Sequence, residues 1–204
     1  MHQNLINKKL PKKFYYQDPV ELAPKLLGKI MVRKLGSKYL TGKIVEVEAY
    51  RGRDDRAAHT YNGKTKRNEV MFREGGYLYV YFTYGMHFCS NIVCGKKDEG
   101  AAVLIRAIEP IDEVETMAYN RYGKKIISEK EKINLTNGPA KLCEALNIKR
   151  EENGLDLTKE PIFLIEGENI PKKEIIAAKR IGIKKSVDLP WRFYIKDNPY
   201  VSQK

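Results

Sequence analysis

Cysteine is scarce in this chain: Cys89, Cys94 and Cys143 are the only three, they form no CxxC pair, and their number is odd. That speaks against a disulfide framework and for a reduced compartment. Histidine is equally rare. With only His2, His59 and His87, a zinc site lacks enough of its usual ligands. No apolar run approaches the ~20 residues of a membrane-spanning helix. The N-terminus, MHQNLINKKLPKKFYYQ, has no apolar stretch of the kind a secretory signal needs. Internal repeats and linker-like segments are missing too. The chain therefore reads as one cytoplasmic domain over residues 1–204, with residues 1–17 a basic, loosely ordered segment, and it is long enough to bury a core without staples.

What the chain does have is positive charge and tyrosine. It carries 38 Lys and Arg against 26 Asp and Glu, a formal balance of +12. Net charge speaks about partners and not about fold. A polyanion such as DNA or RNA fits this balance. An anionic membrane surface fits less well, because no basic amphipathic helix is evident. The tyrosines concentrate in GGYLYVYFTYGMHFCSN, where Tyr77, Tyr79, Tyr81 and Tyr84 fall within eight residues. In an extended chain, Tyr77, Tyr79 and Tyr81 share one face while Leu78, Val80 and Phe82 share the other. Thr83-Tyr84-Gly85-Met86 then reads as a tight turn, with Gly85 at positive φ, and His87–Val93 returns as the second strand of a hairpin. The aliphatic face suits a core. The tyrosine face is either covered by a helix or forms an aromatic pocket, with Tyr84 projecting from the hairpin tip.

Elsewhere, DPVELAPKLLG reads as a short helix capped by Asp18 and ended by Gly28, although Pro24 is awkward inside it. KIMVRKL and YLTGKIVEVEAY follow as strands around Gly36-Ser37. Residues 51–69 are a polar loop. GAAVLIRAIEP is an apolar strand, IDEVETMAYNRYG a helix ending at Gly123, KKIISEKEKINLTN a charge-dense connection, and GPAKLCEALNI a helix opened by Pro139. PIFLIEG and WRFYIKD are short strands. The expected architecture is α+β: a compact domain around a largely antiparallel sheet with a projecting β-hairpin.

Two positions stand out chemically. In KIVEVEAY, Glu46, Glu48 and Tyr50 share one strand face, which by itself can be no more than a solvent face. Arg106, however, is the one charge in an otherwise apolar strand, and a charge so placed needs a buried partner or a ligand. A Glu48–Arg106 pair beside an aromatic slot would be a catalytic arrangement.

The ordered motifs GKIVEVEAY, DDRAAH, TKRNEVMF, YLYVYFTYGMHFCSN, AAVLIRAIEP and NGPAKLCEAL resemble the alkyladenine (3-methyladenine) DNA glycosylase family. The match runs from about Val20 to the C-terminal RIG…PWRFYIKDNPYVS. The resemblance implies a monomeric, cofactor-free enzyme of base excision repair. It would extrude alkylated or deaminated purines from double-stranded DNA and hydrolyse the N-glycosidic bond, leaving an abasic site. It also implies roles. Glu48 would be the general base, and Arg106 would help to hold the attacking water. Tyr50, His59 and Tyr81 would wall the base pocket, Asn91 would exclude guanine, and Tyr84 would fill the gap in the duplex. Lys141 near the Pro139 helix start is a phosphate contact or an ordinary helix terminus. Lys66, Arg67 and Asn68 either meet the DNA backbone or order their loop. No lysine aligns with a Schiff-base role, so strand cleavage is not expected. His87 departs from the aromatic that some relatives carry beside Tyr84. The competing reading is a non-catalytic nucleic-acid module with a tyrosine stacking face; it leaves Glu48 and Arg106 unexplained.

Overall fold

The structure, a computed structural model, describes residues 8–83 and 85–202. Its framework is an eight-stranded sheet in which, among the described residues, the strands pair antiparallel. The central strand is β2 (Lys38–Arg51), with β5 (Ala101–Asp112) along one edge. Along the other edge β2 pairs first with β1 (Ile30–Leu35) and then, at Glu46–Glu48, with β8 (Arg192–Ile195). From β5 the sheet continues to β4 (His87–Cys94) and β3 (Leu78–Thr83). Beyond β1 lies β6 (Ile162–Ile165), and beyond β8 lies β7 (Ile175–Ala178). The expected α+β fold with its hairpin is what forms.

Helices cover one face. α1 (Pro19–Leu26) starts where the Asp18 side chain accepts a hydrogen bond from Val20 N–H at 2.8 Å. It passes through Pro24 and ends two residues later, so the missing N–H comes close to the helix end. Gly28, at φ 83°, turns the chain out of it. α2 (Val114–Tyr122) stops at Gly123 in the left-handed region, and α4 (Pro139–Ala145) opens on its proline. Leu22, Leu26, Met117, Leu142 and Cys143 of these helices join Val47, Ala49, Leu78, Ile92, Val103 and Ile105 of the strands in one core. Fully burying a Leu or Ile side chain is worth about 1.5–3 kcal/mol, so this face anchors the sheet.

The structure adds two elements to the sequence reading. The charge-dense connection contains α3 (Glu129–Asn134), closed by a capping box between Ser128 and Glu131. It buries no residue, so no hydrophobic period marked it. β7 also went unanticipated; none of its four residues is fully buried, and it is held by pairing to β8. Residues 8–17 pack on the sheet, with Leu10 and Tyr15 buried and Lys9 bridged to Ile165.

Candidate active site

Antiparallel register puts directly opposed residues on the same face. Tyr79 on β3 faces Asn91 on β4, Asn91 faces Leu104 on β5, and Leu104 faces Glu48 on β2. One row of pleats thus carries a phenol, an amide and a carboxylate on the side away from the helices. Tyr81, Tyr50 and Arg106 lie one pleat from that row. Two compensating bulges adjust the last of these: β2 carries an extra residue between Ile44 and Glu46, and β5 an extra one between Ala107 and Ile105, at Arg106.

Above this row opens a cavity of about 530 Å³ lined by Tyr50, His59, Tyr79, Tyr81, Asn91 and Arg106, among others. Aromatic rings form much of its wall, and Arg56, Arg67, Lys184 and Lys185 add a cationic rim. Tyr79 and Tyr81 stack with ring centroids 5.7 Å apart, and His59 meets Tyr81 edge-on at 4.5 Å. His59 Nδ1 lies 3.1 Å from the Tyr79 hydroxyl. His59 keeps an exposed surface, yet the walls packed around its ring, and then the charge of Arg67, lower its pKa. Burial pushes the Tyr79 phenol up to about 12 and that of Tyr81 higher still. Asn91 Nδ2 donates to the Tyr79 carbonyl at 3.2 Å, which fixes the amide against the cavity floor.

Directly behind the cavity-lining residues Tyr50, Arg106 and Ile181 stands a pair of buried carboxylates. Glu48 is fully buried, and so is Glu46; their strand face is an interior and not a solvent face. The Tyr50 hydroxyl donates to Glu48 Oε2 at 2.8 Å. Glu48 Oε1 accepts from the Ile181 backbone N–H at 2.7 Å and lies 3.2 Å from Arg106 Nη1. The carboxylate is therefore held from three sides before any ligand enters. Burial opposes the charge on Arg106, but Glu48 and then Glu46 outweigh it and leave its pKa raised. Burial, followed by the neighbouring Glu48 charge, drives the Tyr50 phenol well above its ordinary value, so it stays a donor.

Two loops close the sides. The 51–69 loop brings His59 and is ordered by Asn68, whose Nδ2 donates to His59 O at 2.8 Å and Gly63 O at 3.0 Å. A second loop after β7 contributes Ile181, Gly182, Ile183, Lys184 and Lys185 to the cavity. Arg180 latches the two together: its guanidinium, completely buried, grips the equally buried Asp55 through two nitrogens and donates to Ala49 O at 2.9 Å. Its plane also covers the Tyr50 ring at 4.7 Å. Sequence reasoning assigned no role to Tyr79, to Arg180 or to this second loop. The period-2 pattern had placed Tyr79 on the tyrosine face, but nothing local marks a loop that reaches the site from 130 residues away.

Of the other expected residues, Arg67 lines the cavity and lies 6.0 Å over Tyr81, while Lys66 sits on an exposed turn outside that lining. Lys141 is turned toward its own loop, donating to Asn134 and Asn137, and does not line the cavity. Tyr84 lies outside the described residues. Among its described neighbours, Gly85 has φ 69° and Met86 N–H donates to Thr83 O at 3.3 Å. His87 Nδ1 stands 3.2 Å from Glu144. Among the described residues, no helix is long and apolar enough to cross a membrane, and no group of three or more His, Cys, Asp or Glu could hold a metal ion.

The family model of the methylpurine-DNA glycosylases (MPG) matches residues 13–199. A protein of Clostridium novyi (strain NT) is 51% identical over 203 residues, covering 97% of this chain and 100% of its own length. One of Alkaliphilus oremlandii (strain OhILAs) is 49% identical over 202 residues, 96% of this chain and all of the relative. One of Carboxydothermus hydrogenoformans is 48% identical over 196 residues, 96% of this chain and 99% of the relative. All three are named as candidate 3-methyladenine DNA glycosylases.

Proposed function

The chain belongs to the methylpurine-DNA glycosylase family, and from that premise we propose that it excises alkylated and deaminated purines from duplex DNA with a water activated by Glu48. Membership makes it a hydrolase acting on DNA; the geometry suggests how the reaction runs. The observation that carries the reading is a fully buried carboxylate, Glu48, fixed by Arg106, Tyr50 and Ile181 N–H, three residues that line the aromatic cavity in front of it.

The target nucleotide is turned out of the stack into that cavity, between Tyr50, His59 and Tyr81. A purine methylated at N3 or N7 is cationic, and aromatic faces attract it more than a normal base. The Asn91 amide, held to Tyr79 O, meets the purine edge and excludes the exocyclic amine of guanine. Glu48 takes a proton from water as its oxygen bonds to C1′. The C1′–N bond breaks with its electron pair passing to the base: a methylated purine leaves neutral, hypoxanthine leaves as an anion that takes up a proton from solvent, and the abasic sugar keeps the new hydroxyl. The transition state is positive at the sugar, and the Glu48 charge steadies it. Arg106, 3.2 Å from Glu48, pairs with its charge and helps to orient the water.

Tyr84 fills the gap left in the duplex, which recovers part of the cost of unstacking. Arg56, Arg67, Lys184 and Lys185 among the cavity-lining residues are suited to the flanking phosphates. One chain supplies every group in this scheme, so the enzyme acts as a monomer, without strand cleavage. A purely stacking nucleic-acid module would have no use for the buried Glu48–Arg106 pair. Incubation with a duplex containing hypoxanthine or 3-methyladenine, followed by alkali, should cut the strand at the lesion and leave an undamaged duplex whole. An uncut lesion strand under conditions where the protein binds DNA would refute the proposal.

A further inference from the structure

Glu46 is fully buried and ionisable, yet the scheme above gives it no task. Its contacts are specific. Oε1 lies 3.1 Å from Arg106 Nε and 3.0 Å from Arg192 Nη1, and Oε2 accepts from Ser202 N–H at 2.7 Å. Arg106 in turn spends its three nitrogens on three partners: Nε on Glu46, Nη2 on Ser202 Oγ at 3.3 Å, and Nη1 on Glu48 at 3.2 Å. A guanidinium is planar, so anchoring two nitrogens fixes the direction of the third.

We propose that Glu46 is a positioning residue for base excision: with Ser202 it clamps the far side of Arg106, so that Nη1 faces Glu48 and the cavity. This rests on Glu48 being the general base. Glu46 also sets the charge around that base. The groups facing the two carboxylates are Tyr50 from β2, Tyr81 from β3, Arg106 from β5, Arg192 from β8, the Ile181 amide and Ser202. Glu46 and Glu48 balance Arg106 and Arg192. Without the Glu46 carboxylate, Arg106 Nε loses its anchor, and Ser202 Oγ at 3.3 Å is left to hold the far side of the guanidinium.

Single-turnover excision of hypoxanthine from duplex DNA and affinity for the same duplex, both measured well below the melting range, separate positioning from folding. Glu46→Gln should excise roughly 10–100-fold more slowly, the scale of a catalytic group displaced by about an ångström, while affinity for the damaged duplex changes little. A merely structural Glu46 would lower thermal stability and leave the folded variant excising at the wild-type rate, and that result overturns the proposal. Ser202→Ala frees only Arg106 Nη2 and alters no charge, so it tests the clamp even if Glu46→Gln does not fold. It should slow excision several-fold, and a wild-type rate in Ser202→Ala overturns the clamp. Glu48→Gln in the same series keeps two failures apart. If it stays active, the general-base reading falls; if it is inactive while Glu46→Gln and Ser202→Ala behave as wild type, only the role of Glu46 falls.

Discussion

Asp55→Ala strips the latch between the two loops that wall the cavity. In the native fold both side chains of the Arg180–Asp55 pair are completely shielded from solvent, and Asp55 also accepts from the Ala57 N–H at 3.0 Å. The substitution leaves a buried guanidinium with only the Ala49 and Ser186 carbonyls as polar partners, at 2.9 and 3.4 Å. Breaking a buried ion pair from one side costs about 3–5 kcal/mol, because the remaining charge is uncompensated. For a chain of this size each kcal/mol moves the melting temperature by about 2–4 °C, so the expected fall is on the order of 6–20 °C. Calorimetry or thermal circular dichroism reads it. Arg180→Met in the Asp55→Ala background should recover part of the loss, since it removes the stranded charge and keeps an apolar body against Tyr50. The loosened loop also carries Ile181 N–H away from Glu48, so excision should slow even below the melting range. A loss of less than about 1 kcal/mol, the worth of an exposed pair, would refute the claim that this buried pair holds the site together.

The lowered pKa of His59 has a sign that can be checked. The unfolded chain takes up a proton at the ordinary value of 6.5 and the folded protein only at lower pH. Stability from this residue is therefore complete above pH 6.5 and declines as pH falls below it. Urea midpoints of the wild type should drop relative to those of His59→Gln over that window, and parallel curves would show that His59 is not enclosed as described. Affinity for damaged duplex should fall linearly with log salt, by about 0.9 log unit per phosphate neutralised; affinity indifferent to salt would argue against the cationic rim. Tyr84→Ala should destabilise the flipped state by ~1–3 kcal/mol. Single-turnover excision should suffer more when hypoxanthine is well paired than at a mismatch or in a single strand, and an equal loss on all three would deny Tyr84 its place in the duplex.

Much of this arrangement was legible along the chain because it is local. The alternation of LYVYF separates a core face from a tyrosine face, Gly85 marks the turn, and Arg106 announces itself as the one charge in an otherwise apolar strand, whereas Glu48 and Tyr50 take their roles from the family resemblance. Spacing alone could not tell that Glu46 and Glu48 are both interior. That depends on β8 and the C-terminal segment arriving over β2 with Arg192 and Ser202. The same holds for the Ile181 loop, whose place is set by Arg180 reaching Asp55 across 125 residues. α3 escaped notice for the opposite reason: its capping box is local, but it buries nothing, so its sequence looks like a solvated connection.

The central claim is that Glu48 activates water in a site that binds damaged DNA independently of that step. Glu48→Gln keeps the shape and removes the proton acceptor. Excision of hypoxanthine and affinity for the same duplex, measured side by side on this variant under single-turnover conditions, test the claim most directly. The account predicts excision slower by ~10²–10⁴-fold with affinity for the damaged duplex preserved. Excision within a few-fold of wild type would contradict it.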